Sequence, residues 1–409
     1  MNYNKVLKYY FGIDLLKPMQ KSVIDSIMSK KDTIGILPTG FGKSITFQLP
    51  AMIFDGLTIV ISPLISLMQD QVINLWDKKI KAEYINSLQT IEEQNRIYKM
   101  IKKGHVKLLY VSAERLLSKK FISEISSVNI SFIVCDEAHT LLWSEDFRLA
   151  LGMIPKFLEL LPNRVPILAL TATATNNTIN KIEELLKLKS PNIYIGDCDR
   201  KNIFYKIVNT KDKDRDLLFY LKNKNKVHGL IYCLTIKHVI YVYNLLKNKG
   251  YNVLMYHGQL NSNEKKNILE LYKANLIDII VSTNAFGMGI DIPDIRYVIE
   301  YDMPSCIEDY IQQSGRASRD GQYAESILLY NYKDIDTIRY FIDNIENELK
   351  TNKEIKLIKK DRYDKLESIL KVINSNKCIH KELSNYFGIE YKNNCIDMCS
   401  NCKKKNDYF

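Results

Sequence analysis

The stretch "PTGFGKS" at residues 38–44 lies between a β-branched run, "TIGIL", and an apolar stretch that opens with Ile45. A glycine-rich turn between a strand and a helix lets backbone N–H groups and the helix N-terminus face an anion. At this spacing Lys43 would reach the terminal phosphates of a nucleotide such as ATP. The Ser44 hydroxyl would join the shell of a magnesium ion, with Thr39, Gly40 and Gly42 completing the cradle. Leu37 stands where the general pattern has glycine. Taken alone, the stretch is also compatible with a chance Gly-rich turn.

A second constellation weighs against the ordinary turn. "SFIVCDEAHT" at 131–140 runs an apolar strand straight into two adjacent carboxylates. Acidic residues at the carboxyl end of a parallel strand lie where open α/β sheets bind ligands. Asp136 is placed to hold Mg2+, and Glu137 to orient or deprotonate an attacking water. The third constellation is a set of thiols: Cys378, Cys395, Cys399 and Cys402 follow the spacing C-x16-C-x3-C-x2-C. Four soft ligands in a reducing compartment suit a tetrahedral structural zinc (Zn2+) site with no open position for water. Unliganded buried thiols are the plainer alternative, and a poor one for three cysteines so close together. Cys135, Cys198, Cys233 and Cys306 are scattered and read as ordinary core or near-surface residues.

These residues need a scaffold, and the sequence pattern supplies one. Short β-branched runs alternate with amphipathic helical stretches, the signature of parallel sheets with crossover helices. The first half offers "TIGIL", "LTIVIS", "KLLYVS", "SFIVCD" and "PILALTA"; the second offers "GLIYC", "VLMYH", "DIIVST", "RYVIEYD" and "SILLYN". The charged stretch "NTKDKDRD" at 209–216 reads as a linker or exposed loop near the junction. The expected organisation is a first α/β domain over 1–205, a second over 206–333, and a small helical unit over 334–409 that carries the thiols. A chain of 409 residues is long enough for such a division.

No apolar run approaches the roughly 20 residues of a membrane span, and the start "MNYNKVLKYYFG" has no secretory apolar core. The protein is therefore expected inside the cell: in the cytoplasm of a prokaryote, or in the nucleus or at a viral replication site otherwise. A net charge of +11 modestly favours a polyanionic partner, although a Lys-rich composition can also reflect a biased genome.

"DEAH" with "PTGFGKS", then "LTATAT" at 170–175 and "QQSGRASRDG" at 312–321, resemble the ordered motifs of superfamily 2 helicases, and more narrowly the RecQ family of DNA helicases. The resemblance runs from about residue 8 to about residue 402. It implies two tandem RecA-like parallel-sheet domains followed by a zinc-binding helical subdomain. "FGIDLLKPMQ" is similar to the family's adenine-recognition element, in which Gln20 would bond the base edge and Lys17 stands in place of the usual arginine. Ser62, Ser112 and Arg115 would contact the nucleic-acid backbone, and "TATAT" would couple nucleotide state to that track. Gly289 and Asp291 would face the nucleotide. Arg316 and Arg319 would act as arginine fingers that stabilise the developing charge on domain closure. "LLWSEDFR" resembles the family's aromatic-rich loop, with Trp143 and Phe147 as stacking faces for unpaired bases and Arg148 for phosphate or carboxylate. The plainer alternatives are an exposed surface pair for Arg316 and Arg319 and core positions for Trp143 and Phe147.

The chain departs from the family pattern at Phe41, Glu145, Gln313, Ser318 and Lys201, and "CIDMC" is one residue longer than the usual spacing. None of these removes Lys43, Asp136, Glu137 or either arginine, so activity is expected. "LSNYFGIEY" is similar to the helical segment between the family's first and second zinc ligands. With only "KKKNDYF" after Cys402, a motor plus zinc unit without winged-helix or helicase-and-RNase-like domains is expected. The resemblance implies a 3′ to 5′ ATP-dependent DNA helicase, monomeric, without a membrane. A nucleic-acid-stimulated ATPase that does not unwind, and an RNA helicase, are the alternatives.

Overall fold

The structure is a computed structural model that describes residues 3–38, 40–63, 65–86, 88–139, 153–197, 199–222, 224, 226–286, 292–346, 351–391 and 395–403. Residues 1–198 and 199–409 form two compact units. The division falls before the expected 205/206 junction because a strand at 203–209 already belongs to the second sheet.

The first unit contains β1 (Thr33–Ile36), β2 (Leu57–Ile61), β3 (Ala82–Ile85), β4 (Leu108–Val111), β5 (Ile130–Cys135), β6 (Ile167–Thr171) and β7 (Asn192–Ile195). They form one sheet in the order β3-β4-β2-β5-β6-β1-β7, and every pairing in it is parallel. Central strands of such a sheet are covered on both faces, which is why they read as near-continuous apolar runs. Alternation still sorts the side chains. Ile59 and Ile61 of β2 and Ile167 and Ala169 of β6 enter one core, while Val60, Leu168 and Leu170 enter the other with Val23, Phe47 and Met68. Each such fully buried aliphatic side chain contributes about 1.5–3 kcal/mol.

Asp32, nearly fully buried, organises the start of three strands. Its carboxylate accepts from Arg164 Nη1 at 3.3 Å, from the β6 amide of Ile167 at 3.0 Å and from Lys189 N at 2.6 Å. Its carbonyl accepts from Asn192 N at 2.9 Å, where β7 begins.

The second unit contains β8 (Ile203–Asn209), β9 (Gly229–Tyr232), β10 (Val253–Tyr256), β11 (Ile279–Ser282), β12 (Tyr297–Glu300) and β13 (Ala324–Tyr330). Their order is β10-β11-β9-β12-β13-β8, again parallel throughout. Helices Tyr332–Asp343, Asn352–Ile373 and Ile379–Tyr386 follow and lead into the thiols. "NTKDKDRD" is not a linker: Lys213 begins the helix Lys213–Leu221, capped by Asp212. Its ammonium is buried between Asp302 and Asp334. Among the described residues, no helix is long and apolar enough to cross a membrane.

Candidate functional site

The loop after β1 turns into the helix Ile45–Ile53 through two glycines with left-handed backbones, Gly40 at φ +76° and Gly42 at φ +85°. A β-carbon on Gly42 would lie 2.8 Å from Gln20 Nε2, so this residue needs both the angle and the space. Gln20 holds the loop. Its Nε2 donates to Phe41 O at 2.8 Å and Gly42 O at 3.3 Å, while its Oε1 accepts from Lys17 N at 2.9 Å. Lys17 Nζ lies 4.6 Å from the centre of the Phe41 ring. The side chain expected on a base edge is thus also the strut between the helix Pro18–Met28 and the phosphate loop. Phe41, the departure from glycine, gives Lys17 a surface to cover. Thr39 lies outside the described residues.

Asp136 and Glu137 follow β5 directly. Asp136 N donates to Ile61 O at 3.0 Å, which extends the β2–β5 pairing by one residue. Glu137 N donates to Asp136 Oδ1 at 3.0 Å. Glu137 itself adopts φ +49°, a left-handed conformation costly for a residue with a β-carbon. That turn aims its carboxylate at Lys43, whose Nζ donates to Oε1 at 2.8 Å. On the other side Glu137 Oε2 is 3.4 Å from His139 Nδ1, which in turn lies 2.8 Å from Thr171 Oγ1. Thr171 donates its hydroxyl proton to Thr173 O at 2.9 Å. It must therefore accept from His139, which places the proton on Nδ1. Burial, with Glu137 beside it, raises the Asp136 carboxyl to about 6 against the opposing pull of Lys43. A carboxylate pressed toward neutrality in this way is suited to a divalent cation, which would favour its ionised form.

The nucleic-acid candidates Ser62 and Ser112 sit just past the carboxyl ends of adjacent strands β2 and β4, and Ser62 N donates to Val111 O at 3.1 Å. Ser62 is 1% exposed and its hydroxyl has no hydrogen-bond partner among the described residues. Arg115 Nη2 donates to Asn86 O at 3.1 Å, gripping the chain just after β3. Trp143, Phe147 and Arg148, and with them Glu145, lie outside the described residues, as do Gly289 and Asp291.

In the second unit the helix Ile307–Ser314 ends in the loop that carries Arg316 and Arg319, with Arg316 buried. Gln313 donates to Asn284 Oδ1 at 2.6 Å. Ser318 has φ +49°, which gives the family's glycine at this position a physical reason. Its N donates to Ile295 O at 2.8 Å.

The four cysteines meet with their sulfur atoms all within 4.8 Å of one another. Tetrahedral zinc thiolates have sulfurs about 3.8 Å apart from the usual metal–sulfur length, so the set fits zinc. Cys378 caps the helix Ile379–Tyr386, and Cys399 bridges Tyr205 of β8. Tyr205 N donates to Met398 O at 3.1 Å and Ser400 N to Tyr205 O at 2.9 Å, so the knuckle extends the edge of the second sheet. The longer "CIDMC" is absorbed by consecutive left-handed residues, Ile396 at φ +48° and Asp397 at φ +61°. His380 faces oxygen on both ring nitrogens, Asp199 Oδ1 on Nδ1 and Met398 O on Nε2 at 3.0 Å. Burial lowers its pKa, but the carboxylate and the carbonyl outweigh that and raise it, as two acceptors on an imidazolium require. His139, Thr171, Asp199 and His380 were not singled out from sequence; each acts on a residue far away in the chain.

Two parallel sheets, the first with a phosphate loop facing paired carboxylates and the second with an arginine-bearing loop and a four-thiol knuckle, place the protein among tandem RecA-like proteins. One solved structure of this fold, a DEAD-box helicase bound to ssRNA and UDP-BeF, superposes with a TM-score of 0.68 at 20% identity, covering 94% of this chain and 88% of that one. The chain belongs to the RecQ family of DEAD/DEAH-box helicases. It matches the DEAD/DEAH box helicase family over 17–182, the helicase conserved C-terminal domain over 212–321 and the RecQ zinc-binding family over 332–403. It is 37% identical to the ATP-dependent DNA helicase RecQ of Pasteurella multocida, over 98% of this chain and 63% of that protein, so it spans less than two thirds of that relative. It is also 37% identical to a putative ATP-dependent RNA helicase of Acanthamoeba polyphaga mimivirus, over 97% of this chain and 71% of the relative.

Proposed function

We propose that the protein is an ATP-dependent DNA helicase that translocates 3′ to 5′ on single-stranded DNA and separates the duplex ahead. The observation that carries this reading is the continuous chain from Lys43 through Glu137 and His139 to Thr171. It links the phosphate loop, the carboxylate turn and the "TATAT" segment through two hydrogen bonds and the 3.4 Å Glu137–His139 contact between them. With a triphosphate in the loop, Lys43 exchanges Glu137 for phosphate oxygens, and Glu137 becomes available to orient water while His139 holds its other oxygen. Ser44 and Asp136 would hold Mg2+, which would supply positive charge against the negative charge that develops on the phosphates. Arg316 and Arg319 would supply positive charge to the transferring phosphoryl group. Ser62, Ser112 and Arg115, with Trp143, Phe147 and Arg148, are the proposed nucleic-acid contacts, and Gly289 and Asp291 the proposed nucleotide contacts. The four thiolates would bind zinc structurally, as the closed ligand set supports.

The mimivirus relative's description as a putative RNA helicase supports RNA as the second reading. Hydrolysis of ATP measured with single-stranded DNA and with RNA separates the two. DNA is expected to stimulate more strongly, and Lys43→Ala to abolish turnover without loss of the folded state. Equal or greater stimulation by RNA would favour the second reading, and turnover in a folded Lys43→Ala variant would overturn the assignment of the loop.

A further inference from the structure

The first residues of the second unit reach into the loop that carries Arg316 and Arg319. Arg200 Nη1 donates to Gly315 O at 3.3 Å, and its Nη2 donates to Ala317 O at 3.1 Å and to Ser318 O at 2.6 Å. The carbonyls of Gly315 and Ser318 belong to the peptide groups that join the chain to Arg316 and to Arg319. One guanidinium therefore grips the peptide immediately before each of the two arginines. It also lies at the carboxyl end of the helix Ile307–Ser314, where a cation meets the negative end of the helix dipole.

Asn202 completes the grip. Its Nδ2 lies 2.8 Å from Ser318 Oγ, 3.3 Å from Ser318 O and 2.8 Å from Gln322 O. Ser318 is the residue that takes the left-handed turn without being glycine, so Asn202 supports the most strained point of the loop. Across the loop, Arg296 Nη1 bonds Asp320 Oδ1 at 3.0 Å. Behind the strap, Asp199 accepts from His380 and, at 2.9 Å, from Tyr391 Oη. Arg200 is thus presented from an anchored backbone. Burial lowers its pKa and the neighbouring Arg319 adds to that effect, which puts the two cations in one field. A planar fork can serve three carbonyls at once; a lysine ammonium keeps the charge but reproduces only part of that geometry.

We propose that Arg200 and Asn202 are positioning residues for the arginine loop, holding Arg316 and Arg319 in the orientation that stabilises phosphoryl transfer. The inference rests on the hydrolysis reading given above. Neither residue touches substrate in this account; both act through the loop backbone.

The test uses the full chain and compares Arg200→Gln, Arg200→Lys and Asn202→Ala with Arg316→Ala, reading ATP kcat and KM with saturating single-stranded DNA. Affinities for ADP–aluminium fluoride and for a non-hydrolysable ATP analogue are read alongside. Misplacement of a catalytic group by about 1 Å lowers turnover by about 100-fold. Arg200→Gln is expected to lower kcat on that order with ATP KM unchanged, to lose affinity for the fluoride complex selectively, and to be partly rescued by lysine. Should Arg200→Gln fail to fold, Asn202→Ala carries the same readouts, and Arg200→Lys is expected to show a smaller loss of kcat. Wild-type kcat in the folded variants overturns the proposal, as does a parallel loss of kcat, ATP affinity and melting temperature that lysine does not relieve. Full turnover in Arg316→Ala, or no hydrolysis by the unaltered chain, refutes the underlying reading and is distinguishable from failure of the inference.

Discussion

Thr171→Val probes the link between the carboxylate turn and the "TATAT" segment. Thr171 is fully buried, accepts from His139 Nδ1 at 2.8 Å and donates to Thr173 O at 2.9 Å. Valine preserves the shape and removes the hydroxyl, so the imidazole N–H and the Thr173 carbonyl lose that partner together. Each buried group left unsatisfied costs about 1–3 kcal/mol. The extra methyl returns about 0.8 kcal/mol, and the Glu137 carboxylate stays 3.4 Å from the imidazole. The expected net loss is about 1–4 kcal/mol. Thr171→Ser keeps the hydroxyl and loses only a buried methyl, at about 1 kcal/mol. Urea unfolding should be fitted to the first unit's own transition, because two compact units need not unfold together. DNA-stimulated ATP turnover is measured on the same variants. Valine should be the less stable of the two and should lose stimulation, while serine retains it. A valine variant as stable as the serine one, or with full stimulation, would refute the proton assignment and the coupling drawn from it.

Gly42→Ala is expected to raise the ATP KM and destabilise the first unit by about 1–2 kcal/mol. It places a β-carbon at φ +85° and 2.8 Å from Gln20 Nε2; calorimetry with steady-state kinetics checks it, and an unchanged KM would count against Gln20 as the loop's strut. Cys399→Ser removes a central ligand of the cluster and disturbs its bridge to Tyr205. The unaltered chain should contain one zinc per molecule by atomic emission, and the variant should lose zinc and melt at lower temperature, since structural metal binding contributes folding free energy. A purified chain without stoichiometric zinc would contradict the fit of the site.

Much of the scaffold was visible from local pattern, because strands covered on both faces leave unbroken apolar runs such as "LTIVIS" and "SFIVCD". β3, β7 and β8 escaped for physical reasons. β3 contains Glu83, and β7 is an edge strand whose Ile193 and Ile195 stay exposed. β8 mixes Lys206 into its run and is specified by its register with β13, from Ile203–Ala324 to Asn209–Tyr330. That hidden strand is why the units divide earlier than composition suggested. At the candidate site, Lys43 meets Glu137 and the four thiols cluster. The roles of Gln20, His139, Arg200 and His380 depend on partners brought close only by the fold. Arg115 also donates to Asn86 O, a contact without a local sequence signal.

A strand-displacement assay separates duplex unwinding from ATP hydrolysis alone. The purified chain is offered 3′-tailed DNA, 5′-tailed DNA and tailed RNA duplexes, with ATP or a non-hydrolysable analogue. Displacement of the 3′-tailed DNA duplex alone, dependent on ATP and lost in Lys43→Ala, is the predicted result. ATP hydrolysis without displacement of any DNA duplex, or displacement confined to RNA, would contradict it.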